Sequence, residues 1–114
     1  MKKLILPTND GIILLPEEEI SFIKSENIYT YVHNGTKKIF TTYSLKQYEG
    51  LLNSSNFYRC HRSYIVNLDK ITKIIKAHNY QLILKNGDEI PVSRTRKKEI
   101  LEKIMIKNGH QLPK

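Results

Sequence analysis

Two arginines and a histidine stand in the middle of the most strand-like stretch of this chain, FYRCHRSYIVN, residues 57 to 67. Its ends, Phe57, Tyr58, Tyr64, Ile65 and Val66, are types that pleated, half-buried surfaces favour. Its centre, Arg59, Cys60, His61, Arg62 and Ser63, is nothing an ordinary core would select. In an uninterrupted strand Arg59, His61 and Ser63 would share one face, and Cys60, Arg62 and Tyr64 the other. Burying both guanidinium groups unpaired would be very costly, so at least one must reach solvent, a partner acid or an external anion. A turn or bulge here would also let the cluster project. The planar donor fork of arginine suits a guanine edge or a phosphate. Arg59 reads as half of an internal salt bridge, and Arg62 as the side chain left for a ligand. His61 reads as a half-buried hydrogen-bonding residue more than a groove contact. Cys60 reads as a small packing residue rather than a reactive thiol.

A second cluster opens the last amphipathic segment, SRTRKKEILEKIMI. Ile100, Leu101, Ile104 and Met105 make one apolar face of a helix, with Ser93 in the place of an N-cap. Arg94, Arg96, Lys97 and Lys98 then crowd the start of that helix, where the macrodipole is positive and backbone N–H groups lack partners. Cations there cost roughly 0.3–1 kcal/mol each at low salt. A phosphate would reverse the sign, because dipole, N–H groups and basic side chains would favour the same anion. A solvated charge run is the competing account. A third place is KSENIYTY, Lys24 to Tyr31. A strand break at Ser25–Asn27 would expose Asn27, able to pair with adenine, ahead of Tyr29, able to reach a phosphate; turn chemistry and surface packing explain the same residues.

The elements that must position these groups are short. LILP, IILLP, ISFIKS, IYTYVHN and TKKIFTT read as strands, several alternating apolar and polar residues at period two. PEEEI suggests a turn or a short helical turn after Pro16. Asn34–Gly35 is the strongest hairpin signal, and NGD at Asn86 to Asp88 is a second. In YSLKQYEGLL, Leu45, Tyr48, Leu51 and Leu52 fall on one helical face with Ser44 able to cap it and NSSN closing it. ITKIIKA, YQLILK and DEIPV add three strands. The pattern predicts a mainly β domain over 1–106 with a short internal helix and a C-terminal helix. Residues 107–114 are expected as a flexible tail.

Composition bounds the function. The chain has 114 residues, 39% hydrophobic and 26% charged, which fits one globular domain. No apolar run approaches the roughly 18 residues a bilayer span needs. One cysteine excludes an internal disulfide and makes a reducing compartment, the cytoplasm, the expectation. Residues 1–58 hold six basic and six acidic residues; residues 59–114 hold thirteen and five, the whole net charge of +8. That asymmetry points to a polyanion, nucleic acid first and an acidic partner or anionic lipid second. His33, His61, His78 and His110 show no metal-ligand spacing, and neither a phosphate-binding glycine loop nor an acid–histidine–nucleophile order is present. Neither an enzyme nor a cofactor is expected.

FYRCHRSYIVNLDKITKI resembles the core signature of the LytTR (LytR/AgrA-type) DNA-binding domains of bacterial response regulators. ILPTNDGIILLPEEEISFIKSENIYTYVH resembles the opening strands of that family, and EIPVSRTRKKEI its closing strand and helix start. The resemblance spans roughly residues 3 to 104. It implies an elongated antiparallel β fold of about ten short strands, with loops rather than a recognition helix entering major grooves. Carried over by position, it implies DNA contacts in the loop Asn27 to Thr30, at His61 and Arg62, and near Ser93 and Arg94. Charge reasoning adds Arg96 and Lys97, and the third stretch adds Lys24. The expected function is a sequence-specific regulator of transcription on double-stranded DNA. Pairing on repeated half-sites is implied, as is a receiver domain or sensor kinase elsewhere, this chain being a stand-alone regulator or an excised domain. The competing class is a basic β module for single-stranded RNA or an acidic protein, using seven tyrosines and three phenylalanines as platforms.

Overall fold

The computed structural model describes residues 2–52 and 56–110. Ten strands run in order: β1 (Lys3–Pro7), β2 (Ile12–Pro16), β3 (Phe22–Glu26), β4 (Tyr29–His33), β5 (Lys38–Thr41), β6 (Phe57–His61), β7 (Tyr64–Asn67), β8 (Ile71–Lys76), β9 (Tyr80–Leu84) and β10 (Glu89–Pro91). Helix α1 (Leu45–Leu51) separates β5 from β6, and α2 (Lys97–Lys107) closes the chain. Every strand pair is antiparallel. The molecule is elongated, 51 × 31 × 25 Å, as expected.

The five-stranded sheet β5-β4-β3-β7-β6 is the middle layer, with β1-β2 and β10-β9-β8 as separate sheets. Both of its faces are covered, which explains the apolar doublets Phe22-Ile23 and Ile65-Val66: neighbours in a strand point to opposite sides. Ile23, Val32 and Ile65 pack with Leu4, Leu6 and Leu15 of the first hairpin and with Leu45, Tyr48 and Leu52. Phe22, Tyr58, Cys60 and Val66 pack on the other side with Leu82, Leu84, Ile90, Val92 and Ile100 of α2. Burial on both faces therefore fixes the register of the central strands, since a one-residue slip would exchange the two cores.

Helix termini follow local chemistry in two places. At α1, Gln47 N–H donates to Ser44 Oγ (3.1 Å) while Ser44 N–H donates to Gln47 Oε1 (2.8 Å), a reciprocal cap. Leu45, Tyr48 and Leu52 face the core, but Leu51 is 49% exposed, because it sits at the edge of that face, about 100° round the helix from Leu52 and about 120° from Leu45. At the end of α2, Gly109 takes φ +75° and the N–H groups of Gly109 and His110 return to the carbonyls of Ile106 and Met105. Lys107 also pairs with Asp69 at 3.0 Å. Helix α2 itself ends at Lys107, while 53–55 of the expected helix stop and 111–114 of the expected tail lie outside the described residues. The start of α2 also differs from expectation. Ser93 precedes a 3-10 turn, Arg94–Arg96, makes no side-chain cap, and the α-helix begins only at Lys97.

Candidate nucleic-acid interface

The stretch FYRCHRSYIVN is a hairpin, not one strand. A bulge lies between Tyr58 and His61, His61 pairs with Tyr64, and Arg62–Ser63 form a two-residue turn. Two more loops are brought to it. Ser25 N–H, near the end of β3, donates to the Ser63 carbonyl at 2.9 Å, and Lys24 lies opposite Tyr64. The β3–β4 turn, Asn27–Ile28, follows directly. From the other side, Ser93 N–H donates to the Cys60 carbonyl at 2.9 Å. Arg59, His61, Arg62, Ser93, Thr95 and Arg96 line a shallow hollow of about 400 Å³ between these loops. No acid lines it.

The arginines divide by commitment. Arg59 lies 3.0 Å from Glu49 of α1, the internal salt bridge that its position suggested, and donates a second bond to the Arg62 carbonyl. Arg96 sits over the Tyr58 ring, 3.8 Å from Glu99. Tyr58 in turn donates to Glu99 at 2.5 Å, and burial, followed by the hydrogen bond to Glu99, pushes its hydroxyl up to about 12. Arg62 and Arg94 are both exposed, and among the described residues neither guanidinium has a hydrogen-bond or ion-pair partner.

His61 Nδ1 accepts the Ser63 N–H at 3.1 Å, so the neutral ring carries its proton on Nε2 and offers a donor. Burial and then the neighbouring Arg62 charge hold its pKa below the usual histidine value. Cys60 is fully buried, and burial pushes its thiol up to about 12, which makes it the packing residue expected.

The sequence profile of the LytTr DNA-binding domain matches residues 10–105. The chain is 35% identical over 108 residues to the sensory transduction protein LytT of Bacillus anthracis, covering 93% of this chain and 44% of that protein. It is 35% identical over 96 residues to the transcriptional regulatory protein LytR of Staphylococcus aureus, covering 82% and 39%. A solved LytTr DNA-binding domain from Bacillus cereus superposes with a TM-score of 0.76 at 32% identity, covering 91% of this chain and 96% of that one. The chain belongs to the LytTR family. It spans less than half the length of these curated relatives.

Within this LytTR domain the expected residues fall into different settings. Asn27 occupies the β3–β4 turn at φ +58°, and Tyr29 beside it is 48% exposed. Thr30 is 4% exposed and pairs with Thr41, so its side chain is closed to any external ligand. Lys24 is half-buried with its ammonium 5.5 Å from the Tyr64 ring. Lys97 donates to the His78 carbonyl at 3.2 Å and sits over Tyr80, which turns it towards the β8–β9 loop. Ser93 is half-buried at the rim of the hollow. Sequence reading passed over two neighbours. Thr95 lines the hollow between Arg94 and Arg96, and Ile28 is 87% exposed at a turn tip. An isoleucine where a hairpin turn would take glycine was the available signal for the second.

Proposed function

We propose that this LytTR domain binds double-stranded DNA in a sequence-specific manner and regulates transcription through that binding. The observation that carries the reading is that Arg62 and Arg94, uncommitted among the described residues, sit on neighbouring loops beside a hollow lined without acids. Unpartnered guanidinium groups held in this way suit guanine O6 and N7 in a major groove, with phosphate as the fallback. The Nε2–H of His61 supplies a further donor, and Asn27 and Tyr29 extend the same surface. Lys98, exposed in the first turn of α2, and the N–H groups of that turn, which no side chain caps, serve as phosphate contacts that set register. The reading requires neither a cofactor nor catalysis. It places the domain with the chromosome in the cytoplasm, acting in pairs on repeated half-sites and, in a longer protein, taking its signal from a receiver domain.

Tyr29 is the one exposed aromatic among the described residues, so successive bases of a single strand would find little to stack on. The test is competition between a labelled duplex and its separated strands over a range of salt. The expected result is preference for duplex with log affinity falling steeply and linearly in log salt. Equal capture of single strands, or no binding at modest ionic strength, would overturn the reading.

A further inference from the structure

The Arg62–Ser63 turn lacks the residues that normally hold a two-residue hairpin loop. Such loops take Asn, Asp or Gly because their backbone needs positive φ. Here Asn27 is the only non-glycine residue at positive φ among those described, so the Arg62–Ser63 backbone lies outside that region. The turn is held by one tie within the hairpin and two that reach other elements. Ser63 N–H donates to His61 Nδ1 and the Ser63 carbonyl accepts from Ser25. The third tie runs through Arg59: Nη1 reaches Glu49 Oε1 at 3.0 Å, and Nη2 donates to the Arg62 carbonyl at 2.6 Å. Glu49 is carried by α1, which its reciprocal cap and the buried Leu45 and Tyr48 fix to the first core.

We propose that Arg59 is a positioning residue, a strut from Glu49 on α1 to the Arg62 carbonyl that holds the turn so that the Arg62 side chain points outward. The inference rests on the DNA reading of Arg62. The competing role is a direct phosphate contact, since Arg59 also borders the hollow. The two roles make opposite demands on Glu49. A phosphate-binding Arg59 is weakened by its acid, whereas a strut needs it. They also differ on lysine, which keeps the charge but cannot bridge two acceptors in a fork.

The experiment uses the full chain and a duplex that the wild type selects from a randomised library, with thermal melts confirming that each variant folds. Arg59→Ala and Arg59→Lys should each weaken binding roughly tenfold, the loss of a hydrogen bond to a charged group, with the salt slope unchanged. Glu49→Ala should weaken it as well. In the DNA-free protein, amide hydrogen exchange at Ser25 and Ser63 should quicken in Arg59→Ala. Tighter binding by Glu49→Ala, wild-type affinity in Arg59→Lys, or unaltered exchange overturns the strut. A wild type that selects no duplex overturns the DNA reading instead, and the exchange measurement then decides the strut alone.

Discussion

The two ends of the central sheet solve the same problem in opposite ways. At one end the β4–β5 and β9–β10 turns obey local chemistry. Gly35 and Gly87 supply φ of +99° and +93°, and Asn34 Oδ1 accepts from the N–H groups of Thr36 and Lys37. The two turns also hold each other, Asn86 Nδ2 donating to the Gly35 carbonyl at 3.0 Å. At the other end the turns are Asn27–Ile28 and Arg62–Ser63, with no glycine in either and an isoleucine 87% exposed. The first end is chosen for folding. The second departs from what folding alone would select, and such departures concentrate where a surface has another task. Substitutions that touch both ends, then the folding end, then the loop end should separate these roles.

Ile100 should show the largest effect, because it is shared. It is fully buried in the second core and anchors the helix whose start carries the cations. Ile100→Ala should lower unfolding free energy by about 2–5 kcal/mol, and duplex affinity should fall with it as α2 loosens. A denaturant melt and a binding isotherm on the same sample check this; a large loss in one alone would break the division into scaffold and site. Gly35→Val belongs to the folding end. Forcing a β-branched residue to positive φ should cost about 1–3 kcal/mol of stability, with duplex affinity unchanged once the folded fraction is accounted for.

Arg62→Ala is the mirror case. Among the described residues its side chain has no partner, so stability should move by less than about 0.5 kcal/mol. Affinity for a selected duplex should fall by about 1–3 kcal/mol, with a smaller loss on random DNA. Equal losses on both would reduce Arg62 to a backbone contact. Ile28→Gly tests the same end more gently. Its side chain makes few contacts, so the melt should barely change, while affinity should fall by up to about 1 kcal/mol if the apolar surface meets a thymine methyl. Unchanged affinity would leave the arginines as the whole of the difference between the ends.

This contrast also explains what could be seen beforehand. The folding end was legible because its signals are local: Asn34–Gly35 and Asn86–Gly87 each act within four residues, as the Ser44 cap does at α1. The loop end was legible as charge but not as geometry. Nothing near Asn27–Ile28 announces a two-residue turn, so the break expected at Ser25–Asn27 falls later, with β3 running to Glu26 and the turn at Asn27–Ile28. Arg59 and Arg62 are three residues apart and chemically alike; what separates them is Glu49 on another element. Thr30 looked available until β5 placed Thr41 opposite it, and Arg96 looked free until Tyr58 and Glu99 converged on it from 41 residues apart. The 3-10 turn ahead of α2 has the composition of a helix start, which hid where the helix begins.

The smallest effect is a pH dependence, and its sign follows from two histidines, one towards each end. Burial lowers the pKa of His33, whose ring stacks on Phe22 at 4.1 Å and whose Nε2 is buried without a partner. Burial and then Arg62 lower that of His61. Above the ordinary value of 6.5 both are neutral folded or unfolded, and stability is fully present. As pH falls below it, the unfolded chain takes up protons first, so stability declines until the folded rings also titrate. Glu26, lowered by its hydrogen bond to Lys38, loses its contribution only below the ordinary carboxylate value of 4.5, a separate and more acidic window. Denaturant midpoints measured across the upper window should therefore fall on acidification. His61→Gln and His33→Gln should each flatten part of that fall, His61 at the loop end and His33 at the folding end. A flat wild-type profile between neutrality and the carboxylate range would show that neither ring is held neutral by its surroundings.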